Sequence, residues 1–474
     1  MKNLKYIIVM LMLVTLTNTS CKDYLTVEPK TEMTQEMLFS TEGGFKDALT
    51  GVYIQMKGTN VYGRAMTMTT IEYPISSWDG DATISTSVPY KLARFNYTDA
   101  GVENSLSAIY GAEYKIIASI NAILDHIDQN RYVFKSPGVY ETIKAECLAL
   151  RAYCHLDILR LFGPIPTDTN TGNKLAYVIH LSKVPNPLLS FAAFQEALLK
   201  DLAEAEVLVK DVDPIVKNVS PSDSYFANRN LKMNYYAVKA LQARAYLWFN
   251  NKEKAYECAK MVIDAKDSKG NPTFRLGMAT DMAAKDYMLT CEHIFGLHDF
   301  ALYTKYSSLY VNGVLRKGST NAVINSQLYG NTGTDIREAN LWELINLPQS
   351  TAQGYVLKKY KVDESGTSFK QIPLLRISEM YMIAIETAQT ADAQALWSVF
   401  RTSRNLQSTI LPADPVLLQN ELLKEYRKEF YAEGQAFFAY KRLNASKANI
   451  LFVPGDATVN YLIPMPKTEA INLN

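Results

Sequence analysis

Apolar residues recur every three or four positions along most of this chain, in blocks separated by polar stretches that carry proline and glycine. That spacing lays an apolar stripe along a helix, and it predicts helices over 41–56, 106–128, 139–162, 190–209, 231–249, 252–264, 371–389, 392–405 and 417–438. The block 139–162 runs into Gly163-Pro164-Ile165-Pro166, a strong helix stop. Ser190 stands at the start of the next block, where a capping hydroxyl is favoured. Ala237, Ala240, Ala243 and Ala245 in one block, and Ala255 and Ala259 in the following one, allow two helices to approach closely. With only Asn250-Asn251 between them, these blocks predict a hairpin of tetratricopeptide type.

Two long segments, 57–105 and 266–370, break the pattern and are rich in Gly, Ser, Thr, Asn and Tyr. Loops of this length are usually functional or disordered, and the steady supply of aromatics argues for order. They are expected to be ordered surface excursions on a helical scaffold formed by 106–264 and 371–442. Length alone, 474 residues, leaves open two or three domains or one elongated repeat body.

At the N-terminus, Lys2 and Lys5 precede an apolar run from Tyr6 to Val14, then Thr15 to Ser20, then Cys21. This reads as a secretory signal peptide over 1–20. The run is short for a bilayer span, and no later window approaches about 18 uninterrupted apolar residues. Cys21 resembles the lipidated cysteine of a bacterial lipobox, although Asn18 stands where Leu is preferred. Acyl chains there would hold the protein on a membrane. The other cysteines, Cys147, Cys154, Cys258 and Cys291, form no CxxC pair. Cys147 and Cys154 are separated by about 10 Å of helical rise, too far for a mutual disulfide, and are expected in the core. Bridges to Cys258 or Cys291 stay open.

Lys plus Arg is 49 against 48 for Asp plus Glu, so the chain has no field for a polyanion and nucleic acid is not expected as a partner. Tyrosine is abundant at 30, against 4 Trp and 5 His, which favours aromatic contact surfaces. No GxSxG elbow occurs, and neither His155 nor His298 has a nucleophile context. Glycosidase chemistry would need two carboxylates facing each other across a cleft, and nothing singles out a pair. Glu146 and Arg151, Arg376 and Glu379, and Arg427 and Glu433 lie on predicted helices and read as structural charges. His155 reads as a packed or capping histidine. Asp79-Gly80-Asp81 offers oxygen donors in a turn but lacks the spacing of a calcium loop. No metal or cofactor is expected.

The string Ala145-Glu146-Cys147-Leu148-Ala149-Leu150-Arg151-Ala152-Tyr153, followed by Asp157-Ile158-Leu159-Arg160-Leu161-Phe162-Gly163, resembles the SusD/RagB family of outer-membrane nutrient-binding lipoproteins. Further matches follow the family order. They are Ser119 to Leu124, Arg376 to Ile383 with Glu386, and Arg427 to Gln435 with Phe438 and Lys441-Arg442. Ile463-Pro464-Met465-Pro466 with Glu469 and Asn472 resembles the closing motif, and Cys21 with Asp23-Tyr24-Leu25 and Glu28-Pro29 the beginning. Ala108 stands where many family members have Trp, and Ala439 where Asp is common. The resemblance implies a mostly α fold over 21–474, with tetratricopeptide-like helix pairs carrying long irregular ligand-binding loops. It further implies a non-enzymatic lipoprotein at the outer face of the outer membrane. Such a protein captures oligosaccharide or polysaccharide and passes it to a SusC-like TonB-dependent transporter. A peptide ligand is the alternative; a lipid-anchored hydrolase and a purely structural partner of the barrel are further readings.

Saccharide capture needs flat aromatic faces together with amide, carboxylate and guanidinium groups. In the first excursion these are Tyr73, Trp78, Asp79, Asp81, Tyr90, Arg94 and Tyr97. In the second they are His298, Tyr303, Tyr306, Tyr310, Asn312, Asn321, Tyr329 and Trp342. Trp78 is read either as a ligand contact or as the core anchor of its loop. Trp248 and Trp397, on helices, are read as core.

Overall fold

Several helix starts in this chain are set by side chains that receive the first free amides. The computed structural model describes residues 34–182, 184–217, 224–347 and 352–467. The expected signal peptide, Cys21, Glu469 and Asn472 lie outside the described residues. Helix α1 (Glu42–Met56) begins at Thr41, whose hydroxyl accepts from Gly44 N–H at 3.1 Å. Helix α2 (Ala100–Ile127) begins earlier than the predicted 106, because the Asp99 carboxylate caps the amides of Gly101 and Val102. Helix α3 (Val139–Phe162) stops at the predicted Gly163, and α4 (Phe191–Val209) is capped by Ser190.

Helices α5 (Tyr235–Trp248) and α6 (Lys252–Ile263) form the predicted hairpin, capped by Asn234 and Asn251. Asn250 turns the connection at φ 58°, a left-handed conformation that Asn tolerates. Ala237, Ala240, Ala243, Ala245, Ala255 and Ala259 are all fully buried, as close approach requires. Helix α3 packs against α2 and α4, and α6 against α5 and the later α7 (Ile377–Thr387). The four described cysteines are free thiols.

Two predicted helices divide. Residues 371–389 split into a strand and α7. Strands β1 (His293–His298), β2 (Trp342–Asn346), β3 (Gln353–Leu357) and β4 (Gln371–Arg376) make two antiparallel ladders, β1 with β4 and β2 with β3. In β4 the run Ile372-Pro373-Leu374-Leu375 is buried throughout, and periodicity cannot tell such a run from a buried helix. Pro373, which lacks an amide, sits opposite Gly296. After α8 (Thr390–Ser403), residues 417–438 separate into α9 (Pro415–Glu429) and α10 (Gln435–Arg442). Ala432 and Gly434 break the helix at φ 63° and 75°. A Cβ on Gly434 would lie 2.3 Å from the Met66 carbonyl oxygen, so the close crossing of these segments requires glycine.

The excursions are not surface loops along their whole length. From Val61 to Trp78 nearly every side chain is buried, because Met66, Met68, Ile71 and Ile75 put apolar surface on successive turns that run through the core. The chain reaches solvent again only after Asp79.

Candidate functional site

Most of the aromatic residues expected to face a ligand are packed into the core. Trp78 is 1% exposed. Its indole N–H donates to the Met68 carbonyl at 2.8 Å, and its ring meets Tyr310 and Tyr431 edge-on at 5.6 and 5.2 Å. Tyr306 stacks on Tyr310 at 5.2 Å, and Trp342 meets Tyr431 at 5.0 Å while donating to the Tyr329 hydroxyl at 3.3 Å. Tyr73 and Tyr97 are buried too, the latter donating to Asn460 O at 2.7 Å. Trp78, Tyr306, Tyr310, Tyr329 and Trp342 therefore tie both excursions to the segment after α9. Burying such rings stabilises the fold more than exposing them would, so as packed they offer no platform for a sugar.

Above this layer the two excursions meet at Asp79. Its Oδ1 accepts from Lys317 Nζ at 2.6 Å and its Oδ2 from Gly318 N–H at 2.6 Å, while its own amide donates to Arg316 O at 2.9 Å. Lys317 Nζ also donates to Ser76 O at 3.0 Å and lies 4.0 Å from the centre of the Phe452 ring. Burial lowers the Lys317 amine to about 8, with Asp79 opposing the shift. A Cβ on Gly80 would lie 2.0 Å from Val314 O, so the approach depends on glycine. Asp79, considered above as an oxygen donor for a cation, has both carboxylate oxygens occupied by this clasp.

Beyond the clasp the side chains are accessible. Asp81 turns the backbone at φ 58° and is half-buried. The Arg94 guanidinium lies 3.5 Å from the Tyr90 ring centre, and its Nε donates to Asp456 at 2.9 Å. Tyr90 and Arg94 are half-buried and the Asp456 carboxylate is mostly exposed. Among the other candidates, His298 and Tyr303 are half-buried and Asn312 and Asn321 exposed, but no contact joins them to this cluster. Arg316, Lys317, Phe452 and Asp456 were not anticipated. No local pattern marks them, since each acts in this cluster through contacts at least 135 residues away in sequence.

Next to the clasp lies a cavity of about 320 Å³ lined in part by Tyr329, Asn420, Lys424, Arg427, Tyr440 and Asn449. The remaining conspicuous charges are internal ties with unexpected partners. Glu146 pairs with Arg229 at 2.6 Å, Arg151 with Asp201 at 2.7 Å, and Glu379 with Arg244 at 2.7 Å. Arg376 reaches Glu429, Glu433 and Glu292, while Glu433 also holds Lys359. His155 accepts from Val178 N–H through Nε2, so its protonated Nδ1 donates to Arg151 O. Burial depresses it to about 3, as fits a neutral packed ring. Among the described residues, no group of three or more His, Cys, Asp or Glu is placed to hold a metal. No helix among them is long and apolar enough to cross a membrane.

Residues 23–212 match the SusD-like_3 family, described as "Starch-binding associating with outer membrane". SusD-like protein P25 of Formosa agariphila is 24% identical over 155 residues; the match spans 32% of this chain and 29% of that protein's length. SusD-like protein P2 of the same organism is 22% identical over 98% of this chain and 97% of its own. Among solved structures, a SusD superfamily protein of Bacteroides vulgatus superposes with a TM-score of 0.67 at 17% identity, covering 92% of this chain and 97% of its own. A laminarin-binding SusD-like protein gives 0.66 at 16% identity, covering 91% and 98%. These two share the mostly α, tetratricopeptide-like architecture described above. The match over residues 23–212 and the fold shared along nearly the whole chain make this chain similar to SusD-like proteins.

Proposed function

We propose that this chain is a non-enzymatic, cell-surface glycan-binding lipoprotein. In this reading Cys21 carries the lipid anchor at the outer face of the outer membrane, and captured oligosaccharide passes to a SusC-like TonB-dependent transporter. The observation that carries the reading is the clasp at Asp79. It holds the two loop-rich segments together and leaves Asp81, Tyr90, Arg94 and Asp456 accessible beside it. A ring braced by a guanidinium, with carboxylates around it, is chemistry that grips sugar: the ring stacks on the apolar face and the charged groups bind hydroxyls. The clasp and the aromatic layer below hold this surface in place before ligand arrives, which lowers the entropic cost of binding. The starch-binding description of the matching family and the laminarin-binding relative favour a glucan.

The test is binding of the purified protein to starch, laminarin and other polysaccharides by affinity electrophoresis and calorimetry, with a peptide panel alongside. Tyr90→Ala and Arg94→Ala should each weaken binding at least about tenfold, the scale of a lost aromatic or charged contact, with unchanged circular dichroism. Binding to peptides alone would sink the glycan reading. Co-purification with an outer-membrane barrel, lost when Cys21→Ser releases the protein from the membrane, checks the anchor and the partner.

A further inference from the structure

A larger groove, of about 560 Å³, opens on the scaffold between α2 and residues 176–188. Tyr110, Gly111, Tyr114 and Ala118 of α2 line one side, spaced as one face of a helix requires. The opposite wall is fixed before any ligand arrives. Leu175 and Ala176 pair with Leu189 and Leu188 in a short antiparallel ladder. Tyr114 Oη donates to Ala176 O at 3.1 Å, Asn121 Nδ2 to Val178 O at 3.0 Å and Arg151 Nη1 to Ile179 O at 3.1 Å. His180 donates from Nδ1 to the Asp125 carboxylate at 2.6 Å, which leaves Nε2 for a hydroxyl. Gly111 and His180 are exposed and Tyr114 and Asn186 half-buried, so a ligand entering from solvent reaches them.

Gly111 sits inside a 28-residue helix, where glycine is the poorest helix former except proline. A Cβ there would meet no atom within 4 Å, so packing within the chain does not call for glycine. The bare backbone instead lets an occupant of the groove approach α2 closely. No Asp, Glu, Lys or Arg is among the described residues that line the groove, so it offers no counter-charge to a charged ligand. The rings of Tyr110 and Tyr114, 4.7 Å apart, supply apolar surface together with Leu181 and Leu188, while His180 and Asn186 supply groups for hydroxyls. A wholly apolar occupant would cover those polar groups without pairing them. A neutral sugar matches both kinds of surface, and the volume, within the usual range for ligand clefts, holds about two rings. We infer that this groove is a second saccharide site, holding a neutral oligosaccharide against Tyr114 and Gly111 with its hydroxyls on His180 and Asn186. The inference takes its ligand class from the saccharide reading above and shares no side chain with the surface beside the clasp.

The experiment is calorimetric titration of the full-length protein with laminaritriose and maltotriose, using wild type, Gly111→Leu, His180→Ala and Arg94→Ala. Wild type should bind one or both trioses at two sites per chain. Gly111→Leu puts a side chain into the groove and should remove one site. Its thermal midpoint should not fall, because leucine is the better helix former, so the loss is separable from unfolding. His180→Ala should weaken the same site at least about tenfold, the scale of a lost polar contact. Arg94→Ala should remove the other site and leave the one sensitive to Gly111→Leu. A single site that Arg94→Ala abolishes and Gly111→Leu leaves untouched overturns the groove and keeps the surface beside the clasp. A single site with the opposite response keeps the groove and overturns that surface. Failure of wild type to bind either triose overturns both. Binding of the apolar dye ANS that Gly111→Leu abolishes, with triose binding unaffected by that change, shows an apolar docking groove and overturns the saccharide assignment.

Discussion

Glu113 is fully buried in α2 beside Tyr62 and Cys154, and this burial, reinforced by the nearby Asp157, lifts its carboxyl from 4.5 to about 8. The folded state therefore holds a proton that the unfolded chain releases above its ordinary pKa. Stability from this group is complete below pH 4.5 and is lost as pH rises through about 8. Glu113→Gln, which cannot ionise, should flatten that slope and raise the thermal midpoint at pH 9 relative to wild type; parallel pH profiles of the two proteins would refute the account. Trp78 makes the opposite point about reading residues. The sequence leaves it either a ligand contact or the core anchor of its loop, and its contacts with Met68, Tyr310 and Tyr431 make it core. Trp78→Ala should cost about 3–5 kcal/mol of stability, as large buried truncations do, measured by urea unfolding. Side-chain chemistry was legible at this scale, but exposure was not, because exposure depends on which distant segment covers the ring.

At the scale of elements, α9 is fastened to the strands and to α8 by a buried charge network. Glu429 accepts from Arg404 at 2.7 Å, from Arg376 at 2.7 Å and from Arg337 at 3.1 Å, and Glu292 accepts from Arg404 and Arg376. Burial would raise the Glu429 carboxyl, but Arg404 and Arg376 outweigh it and hold the group well below its ordinary 4.5. Its contribution is thus present above about pH 4.5 and disappears as pH falls further. Glu429→Gln leaves three guanidinia short of a counter-charge and should destabilise by about 3–5 kcal/mol, the range for breaking a buried ion pair, with the acid-unfolding midpoint shifted. An unchanged midpoint would show the network to be dispensable. Caps and hairpins were readable from local residues such as Ser190, Asn234 and Gly163. The division of 371–389 and 417–438 was not, because β4 exists only by pairing with β1 and the break at Gly434 only makes room for Met66.

In the whole molecule, one half-exposed carboxylate joins segments 238 residues apart. Asp79→Ala would remove the acceptor for Lys317 Nζ and Gly318 N–H at once. Glycan affinity should fall about tenfold or more as the surface loses its preorganisation, while the thermal midpoint drops by less than for Trp78→Ala. Paired calorimetry and thermal melts decide this, and full affinity in Asp79→Ala would remove the clasp from the binding model. By itself the sequence determined most of the helical blocks, the hairpin at Asn250-Asn251 and the family resemblance, all of which rest on local periodicity and short motifs. Only the tertiary structure decided that Val61 to Trp78 run through the core, which charges pair, and that Arg94 meets Asp456. Those outcomes depend on contacts between remote segments, where the gain from burying an apolar ring or matching a buried charge outweighs any preference encoded within a few residues of chain.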